Sequence, residues 1–81
     1  MSDKSILGPW IVEALKEHGG SADVLEVCKT VWHRHEDDLR ASGDIFYTWQ
    51  YDIRWAGTKL RQSGVLAPAS REKAREPWRL L

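Results

Sequence analysis

Apolar residues recur at helical spacing in three separate segments of the chain, and this periodicity ends after Gly64. The spacing predicts a first helix over about residues 7–18, a second over about 23–34 and a third over about 45–63. Val65-Leu66 and the final Trp-Arg-Leu-Leu are then typical of two short strands around a polar segment with two prolines. The expected fold is therefore mainly α with a small C-terminal β-hairpin.

Residues that start or stop helices bound these segments. Gly19-Gly20 favours a left-handed cap at the end of the first helix. Asp23 and Glu26 are typical of a capping box, which makes Ser21-Ala22 a short extended link. The run "HEDDLRASGD" is polar, so we expect a loop there with at most one helical turn, and Asp44 could then cap the third helix.

The size of the chain indicates one small domain. It has 81 residues, and its five tryptophans supply bulk for a small core. The single cysteine, Cys28, cannot form an internal disulfide, which is typical of a reducing compartment. No apolar run approaches the roughly 20 residues that span a bilayer, and no secretion signal opens the chain, so we expect a cytoplasmic location.

The charges are unevenly distributed, although the formal net charge is zero. Residues 1–45 carry five Lys/Arg against nine Asp/Glu, whereas residues 46–81 carry seven against three. A surface that is basic on one side can steer an anionic partner, and the same pattern also fits an ordinary solvated surface.

Three helices, a short extended link and a terminal hairpin predict a winged helix, which is a helix-turn-helix variant whose hairpin forms the wing. The wing is expected over about residues 65–81. Trp49, Ile53, Ala56 and Leu60 share one face of the third helix, so this face should pack on the core. The opposite face is then available for the major groove of DNA.

The segments "ALKEHGGSADVLEV", "IRWAGTKLRQSGVL" and "PWRLL" together resemble the N-terminal winged-helix domain of Mrr-type restriction proteins. That family shows a helix ending in Gly-Gly, an Arg-x-Trp-Ala-x-x-x-Leu-x-x-x-Gly-like helix and a wing that closes on Trp-x-Leu. The resemblance runs from Leu7 to Leu80 and implies a DNA-binding module. It departs at Pro77, where the family has glycine. These residues include no counterpart of the nuclease domain, so the resemblance implies no cleavage.

The predicted DNA-binding residues lie on the third helix and at the tip of the wing. Arginine can bind guanine through two hydrogen bonds, glutamine can do the same with adenine, and threonine can touch a thymine methyl. Tyrosine can donate to phosphates or stack, and a helix start favours a phosphate. The helix residues are Tyr47, Thr48, Gln50, Tyr51, Arg54, Thr58 and Arg61. The tip residues are Arg71, Lys73 and Arg75, which would contact phosphates or a narrow minor groove.

Each of these assignments has a plainer alternative. The helix face could be an ordinary solvated surface. Such surfaces are usually rich in acidic residues, whereas Asp52 is the one acidic residue on this face. The tip could be a solvated turn. Trp55 lies between the core face and the exposed face, and we assign it mainly to packing against the wing or the second helix, with base stacking as the alternative.

Metal and catalytic motifs are weak. His33 and Asp37 have the spacing of two ligands on one helix face, but no cysteine lies close enough to complete a zinc set. The chain has no G-x-S-x-G, phosphate-binding glycine loop or H-E-x-x-H motif. We therefore expect no metal, no cofactor and no enzymatic activity.

The expected function is that of a small stand-alone DNA-binding protein, either a transcriptional regulator or an accessory factor. Double-stranded DNA is the expected partner, no membrane is involved, and a homodimer on two half-sites would add specificity. Ile6, Leu7 and Trp10 are the predicted dimer surface. The alternative is a winged helix for protein–protein contact, which zero net charge and the acidic N-terminal half favour.

Overall fold

The computed structural model describes residues 6–68 and 77–81. Within them the chain forms three helices and a two-stranded antiparallel sheet, which confirms the coarse fold class. In chain order the elements are α1 (Leu7–Glu17), β1 (Ser21–Ala22), α2 (Val24–Arg40), α3 (Ile45–Gln62) and β2 (Trp78–Arg79). None of these helices is long and apolar enough to cross a membrane.

Two glycines end α1, as predicted. Gly19 and Gly20 have positive φ angles of 79° and 101°, and the N–H of Gly20 donates to the carbonyl of Leu15 at 2.6 Å. The carbonyl of Gly20 accepts from the N–H of Leu80 at 2.8 Å. The cap of α1 therefore also holds the end of the chain, which brings Ser21–Ala22 beside β2 as a strand.

The second helix begins where expected but extends to Arg40 instead of ending at Arg34. The side chain of Asp23 caps it by accepting from the N–H of Glu26 at 2.8 Å. At His35 the backbone leaves helical geometry, with φ −124° and ψ 22°, and the helix then resumes. Leu39 is 1% exposed and belongs to the core, which explains why this otherwise polar turn is ordered against the domain.

The third helix lies within one residue of its predicted bounds and buries the predicted stripe. Trp49 and Ile53 are buried, and Ala56 and Leu60 are half-buried against the core. Trp49 also stacks on Trp32 of α2, with ring centroids 6.0 Å apart. This stripe therefore joins α3 to the rest of the domain and turns the opposite face outward.

A glycine allows β2 to approach α3 closely. Trp78 is 5% exposed, and its indole ring lies against the backbone of Gly57. A Cβ atom at position 57 would fall within 3.0 Å of three indole atoms, closer than real Cβ atoms come to their neighbours. Because Gly57 has no side chain, the sheet packs directly on the helix.

Extended chain lies along both edges of β2. One edge pairs with β1, with Ser21 opposite Arg79. On the other edge Leu66 forms an isolated antiparallel bridge with Leu80, and the N–H of Ala67 donates to the carbonyl of Arg79 at 2.8 Å. The two predicted hairpin strands thus meet at this bridge, whereas the regular ladder joins the end of the chain to the link between α1 and α2.

The first helix does not offer the predicted dimer surface. Leu7 is 0% exposed and Trp10 is 9% exposed, because α1 packs against both α2 and α3. Trp10 also stacks on the ring of His35, with centroids 3.9 Å apart. Ile6, at 42% exposed, is accessible. A dimer that uses Leu7 and Trp10 is therefore incompatible with this fold.

Candidate nucleic-acid interface

The outward face of α3 brings most of the predicted helix residues together. Tyr47 and Tyr51 are 82% and 70% exposed, and Gln50, Arg54 and Thr58 are exposed beside them. Residues three, four and seven apart share one helix face, so these side chains form a continuous surface over about three helical turns. We call this surface the outward face.

No carboxylate lies on the outward face. Asp52 is the single acidic residue of α3, and the sequence pattern suggested that it would be exposed. It is instead 5% exposed, and its Oδ2 accepts a hydrogen bond from Thr48 Oγ1 at 2.7 Å. The outward face therefore presents the guanidinium of Arg54 together with hydroxyls and aromatic rings, and no carboxylate of α3 lies among them.

Thr48 and the start of α3 are engaged within the protein. The Thr48 hydroxyl donates to Asp52, and it also lies 3.4 Å from the carbonyl of Asp44. The N–H groups of Phe46 and Tyr47 donate to carbonyls of the preceding turn at 3.1 and 3.0 Å, and Asp44 makes no side-chain cap, contrary to expectation. A phosphate at this end would have to displace internal hydrogen bonds.

The basic residues of α3 take part in none of the ion pairs found between described residues. Arg54 and Lys59 are exposed. Arg61 is half-buried, and its buried Nε has no hydrogen-bond acceptor in the described part of the chain. An external anion could bind Arg54 or Lys59 without breaking any salt bridge seen in the described part of the chain. Arg61 reaches outward less than the sequence suggested.

The two arginines of α2, Arg34 and Arg40, are paired with acids instead. Arg34 donates to Glu17, and this hydrogen bond lowers the pKa of the Glu17 carboxyl. His35 Nε2 lies 2.8 Å from an oxygen of Glu13. Among the described residues no three His, Cys, Asp or Glu side chains converge to hold a metal ion. Within the described residues, ion pairs therefore join α1 and α2, whereas the basic residues of α3 form none.

An open groove of about 720 Å³ separates the first half of α2 from α3. Its apolar lining includes Leu25, Cys28 and Trp32, while Lys29 and Arg54 contribute positive charge. Burial raises the pKa of the Cys28 thiol. Leu25 is 61% exposed and was missed at the sequence level. The available signal was that Leu25 is an apolar residue outside the buried stripe of its helix.

Trp55 is 56% exposed, which does not fit the predicted packing against the wing or the second helix. The physical reason is that α3 meets α2 through Trp49 and meets β2 through Gly57, on other sides of the helix. Trp55 therefore stands at the edge of the outward face, beside Tyr51.

The predicted tip of the wing lies outside the described residues. This concerns Arg71, Lys73 and Arg75, whose contacts with phosphates stay predictions. The functional assignment therefore depends on α3 and the surfaces beside it.

Comparisons with known proteins leave the family open. No family model matches the chain, and neither a curated protein nor a solved structure matches it. The resemblance to Mrr-type winged-helix domains stays a prediction. A functional proposal for this chain therefore depends on the geometry of the described residues.

Proposed function

We propose that the protein is a small winged-helix DNA-binding protein that inserts α3 into the major groove. The order of the elements supports this assignment, because it places a C-terminal pair of extended segments beside the third helix. That order is helix, strand, helix, helix, bridge and strand. In this proposal the DNA base edges are contacted by Arg54, Gln50 and Thr58. Tyr47 and Tyr51 contact the DNA strand, and the wing adds phosphate contacts.

One observation carries the proposal: the exposed cations of α3 form no ion pair among the described residues, and no carboxylate of α3 lies on the outward face. Arg54 and Lys59 are exposed without ion pairs among the described residues, and Asp52 is turned inward. A polyanion gains from such a face because phosphate contacts release counterions and no internal pair is lost. An ordinary solvated helix would mix both signs of charge.

In this proposal the protein acts in transcription regulation or as an accessory DNA-binding factor. A single module of this kind buries about 600–1,000 Å² of its surface on DNA. Useful specificity then requires two half-sites and a homodimer, or a partner protein. The dimer would have to use a surface other than Leu7 and Trp10. A cytoplasmic location is part of the same proposal.

Salt-dependent binding to duplexes enriched from a random pool tests the proposal. We expect the logarithm of the affinity to fall with the logarithm of salt concentration, with a slope near −0.9 for each phosphate contacted. Arg54→Ala should weaken binding by about 1–3 kcal/mol if Arg54 reads a base. Lys16→Ala is the matched control, because it removes one exposed positive charge from α1.

Two results would contradict the proposal. One is the lack of salt-sensitive duplex binding near physiological ionic strength. The other is an Arg54→Ala protein that binds DNA as Lys16→Ala and the wild type do.

A second candidate is a protein–protein module, which the groove favours. Leu25 is 61% exposed at its edge, and Lys29 and Arg54 would attract a partner segment that combines apolar and acidic residues. Amphipathic acidic peptides should then bind wild type but not Leu25→Ser. Ile6→Ser, which changes an exposed apolar residue elsewhere, is the control and should keep binding. Salt-sensitive duplex binding that survives Leu25→Ser would argue against this candidate.

A further inference from the structure

We propose that Tyr47, Tyr51 and Trp55 form a stacking ladder for unpaired bases, so that the nucleic acid bound by α3 includes single-stranded nucleotides. This inference rests on the proposed function and names the class of nucleic acid at the same site. The three residues lie four apart along α3 and are 82%, 70% and 56% exposed. We call them the aromatic ladder.

The core of the protein does not use the aromatic ladder. The other four tryptophans are buried or half-buried. Neither Tyr51 nor Trp55 contacts another ring among the described residues, and Tyr47 touches the ring of Phe46 edge-on at 5.1 Å. Neighbouring large aromatic side chains that stay exposed mark a contact surface more often than isolated ones do. The ladder therefore points to a partner that covers flat rings.

The spacing of the ladder suits nucleic-acid bases. Four residues of α-helix rise about 6 Å, and successive steps rotate about 40° around the helix axis. Stacked bases lie about 3.4 Å apart along a strand, so a base between two rings needs about 6.8 Å. Small side-chain adjustments would let one base enter between Tyr47 and Tyr51 and another between Tyr51 and Trp55.

The charge beside the ladder favours a polyanion over a second copy of the chain. Arg54 lies next to Trp55 in the chain and Lys59 lies one turn further on, and both are exposed without ion pairs among the described residues. Two copies of the chain that met at this face would bring these cations together, which is unfavourable. A strand of nucleic acid instead supplies both a base for the rings and a phosphate for each cation.

Pairing decides which form of nucleic acid the ladder prefers. Paired bases in a duplex offer their edges to the major groove, whereas their faces are covered by neighbouring pairs. Unpaired bases expose their faces, and aromatic side chains bind them with little regard for sequence. The aromatic ladder should therefore bind a loop, gap or single-stranded end more tightly than continuous duplex.

Three labelled DNAs of one sequence test this inference by fluorescence anisotropy: the single strand, the full duplex, and the duplex with an unpaired central loop. Wild type should bind the single strand and the looped duplex more tightly than the full duplex. Trp55→Leu should lose about 5- to 140-fold on those two DNAs and change little on full duplex. Tyr51→Leu should lose a similar factor on those two DNAs and less on full duplex, where the proposed function gives Tyr51 a contact with the DNA strand. Tyr51→Phe keeps the ring and should keep the affinity.

Fluorescence gives a second measurement on the same complexes. Stacking of a base on an exposed indole should quench Trp55, so the single strand should quench wild type. Trp55→Phe keeps a ring and should keep most of its binding, but it should lose this quenching. The Leu variants should unfold at the temperature of the wild type, because the replaced side chains are exposed.

Different outcomes separate this inference from the proposed function. If duplex binds with an Arg54-dependent salt response and the Leu variants bind every DNA normally, the ladder inference is wrong and the proposed function stands. If no DNA binds, both are wrong. If the Leu variants change self-association in sedimentation velocity and leave DNA affinity unchanged, a second copy covers the rings and the inference is overturned.

Discussion

Replacing Gly57 with alanine should destabilise the protein, although alanine is normally the better helix former. The change adds one methyl group where α3 meets the indole ring of Trp78. That methyl group would fall within 3.0 Å of three indole atoms. Either the ring or the helix backbone must then move.

The expected magnitude follows from two opposing effects. Alanine in place of glycine inside a helix gains about 1 kcal/mol, and overpacking a filled site costs about 1–3 kcal/mol. Trp78 is 5% exposed, so its ring cannot move aside without losing buried contacts, and we expect a cost in the upper part of that range. The net loss is about 1–2 kcal/mol, which corresponds to a fall in Tm of roughly 4–16 °C.

Urea and thermal unfolding followed by circular dichroism measure this loss. Thr58→Ala is the matched control, because it introduces the same residue at the next, exposed position and should be neutral or slightly stabilising. In a Trp78→Phe background Gly57→Ala should cost less, since a phenyl ring leaves the positions of the indole Cζ2 and Cη2 atoms empty. The difference between the two backgrounds is the coupling energy of the pair.

A Gly57→Ala protein that is as stable as Thr58→Ala would contradict this close contact. An equal loss of stability from Gly57→Ala with tryptophan or phenylalanine at position 78 would contradict it as well. Either result would mean that the indole ring does not lie against the backbone of α3.

Two further predictions concern side chains of α2. His35→Ala should lower the free energy of unfolding by about 0.5–1.5 kcal/mol, because it removes the stack on Trp10 and the contact with Glu13. His33→Ala, at an exposed position, should be neutral. Equal effects of the two changes in thermal unfolding would contradict this prediction. Alkylation of Cys28 should be slower in the folded protein than in urea and should accelerate as the pH rises, because burial raises the pKa of the thiol and so lowers its thiolate fraction near neutral pH. Equal rates in the two states would contradict the second prediction.

Features that depend on neighbouring residues could be predicted from the sequence. The buried stripe of α3 follows from apolar side chains such as Trp49 and Ile53 at helical spacing. The cap at Asp23 and the turn at Gly19 and Gly20 need only residues within a few positions of each other. Local hydrogen bonding and local φ preferences determine these features, so a linear pattern is sufficient.

The end of α2 could not be predicted in the same way. The segment after His35 is polar apart from one leucine, and its composition is typical of a loop. It is helical as far as Arg40, with Leu39 buried in the core. Whether one apolar residue can hold a polar turn depends on a complementary site elsewhere in the domain, which no local pattern contains.

Residues at the border between two helix faces were also misjudged. Asp52 and Trp55 lie near this border on α3, and the sequence suggested an exposed carboxylate and a packed indole. The structure has the reverse, with Asp52 at 5% exposed and Trp55 at 56% exposed. At such positions a rotation of a few tens of degrees relative to the neighbouring helices decides between core and surface.

The sequence by itself determined the three helices, most of their bounds and the apolar side of α3, because helical periodicity is a local property of the chain. Only the tertiary structure decided that Asp52 turns inward, that Leu7 and Trp10 are covered, and that Tyr51 and Trp55 stand exposed beside Arg54. Burial depends on which elements pack on each side of a helix. The packing of α1, α2 and β2 around α3 therefore determines which side chains the outward face exposes.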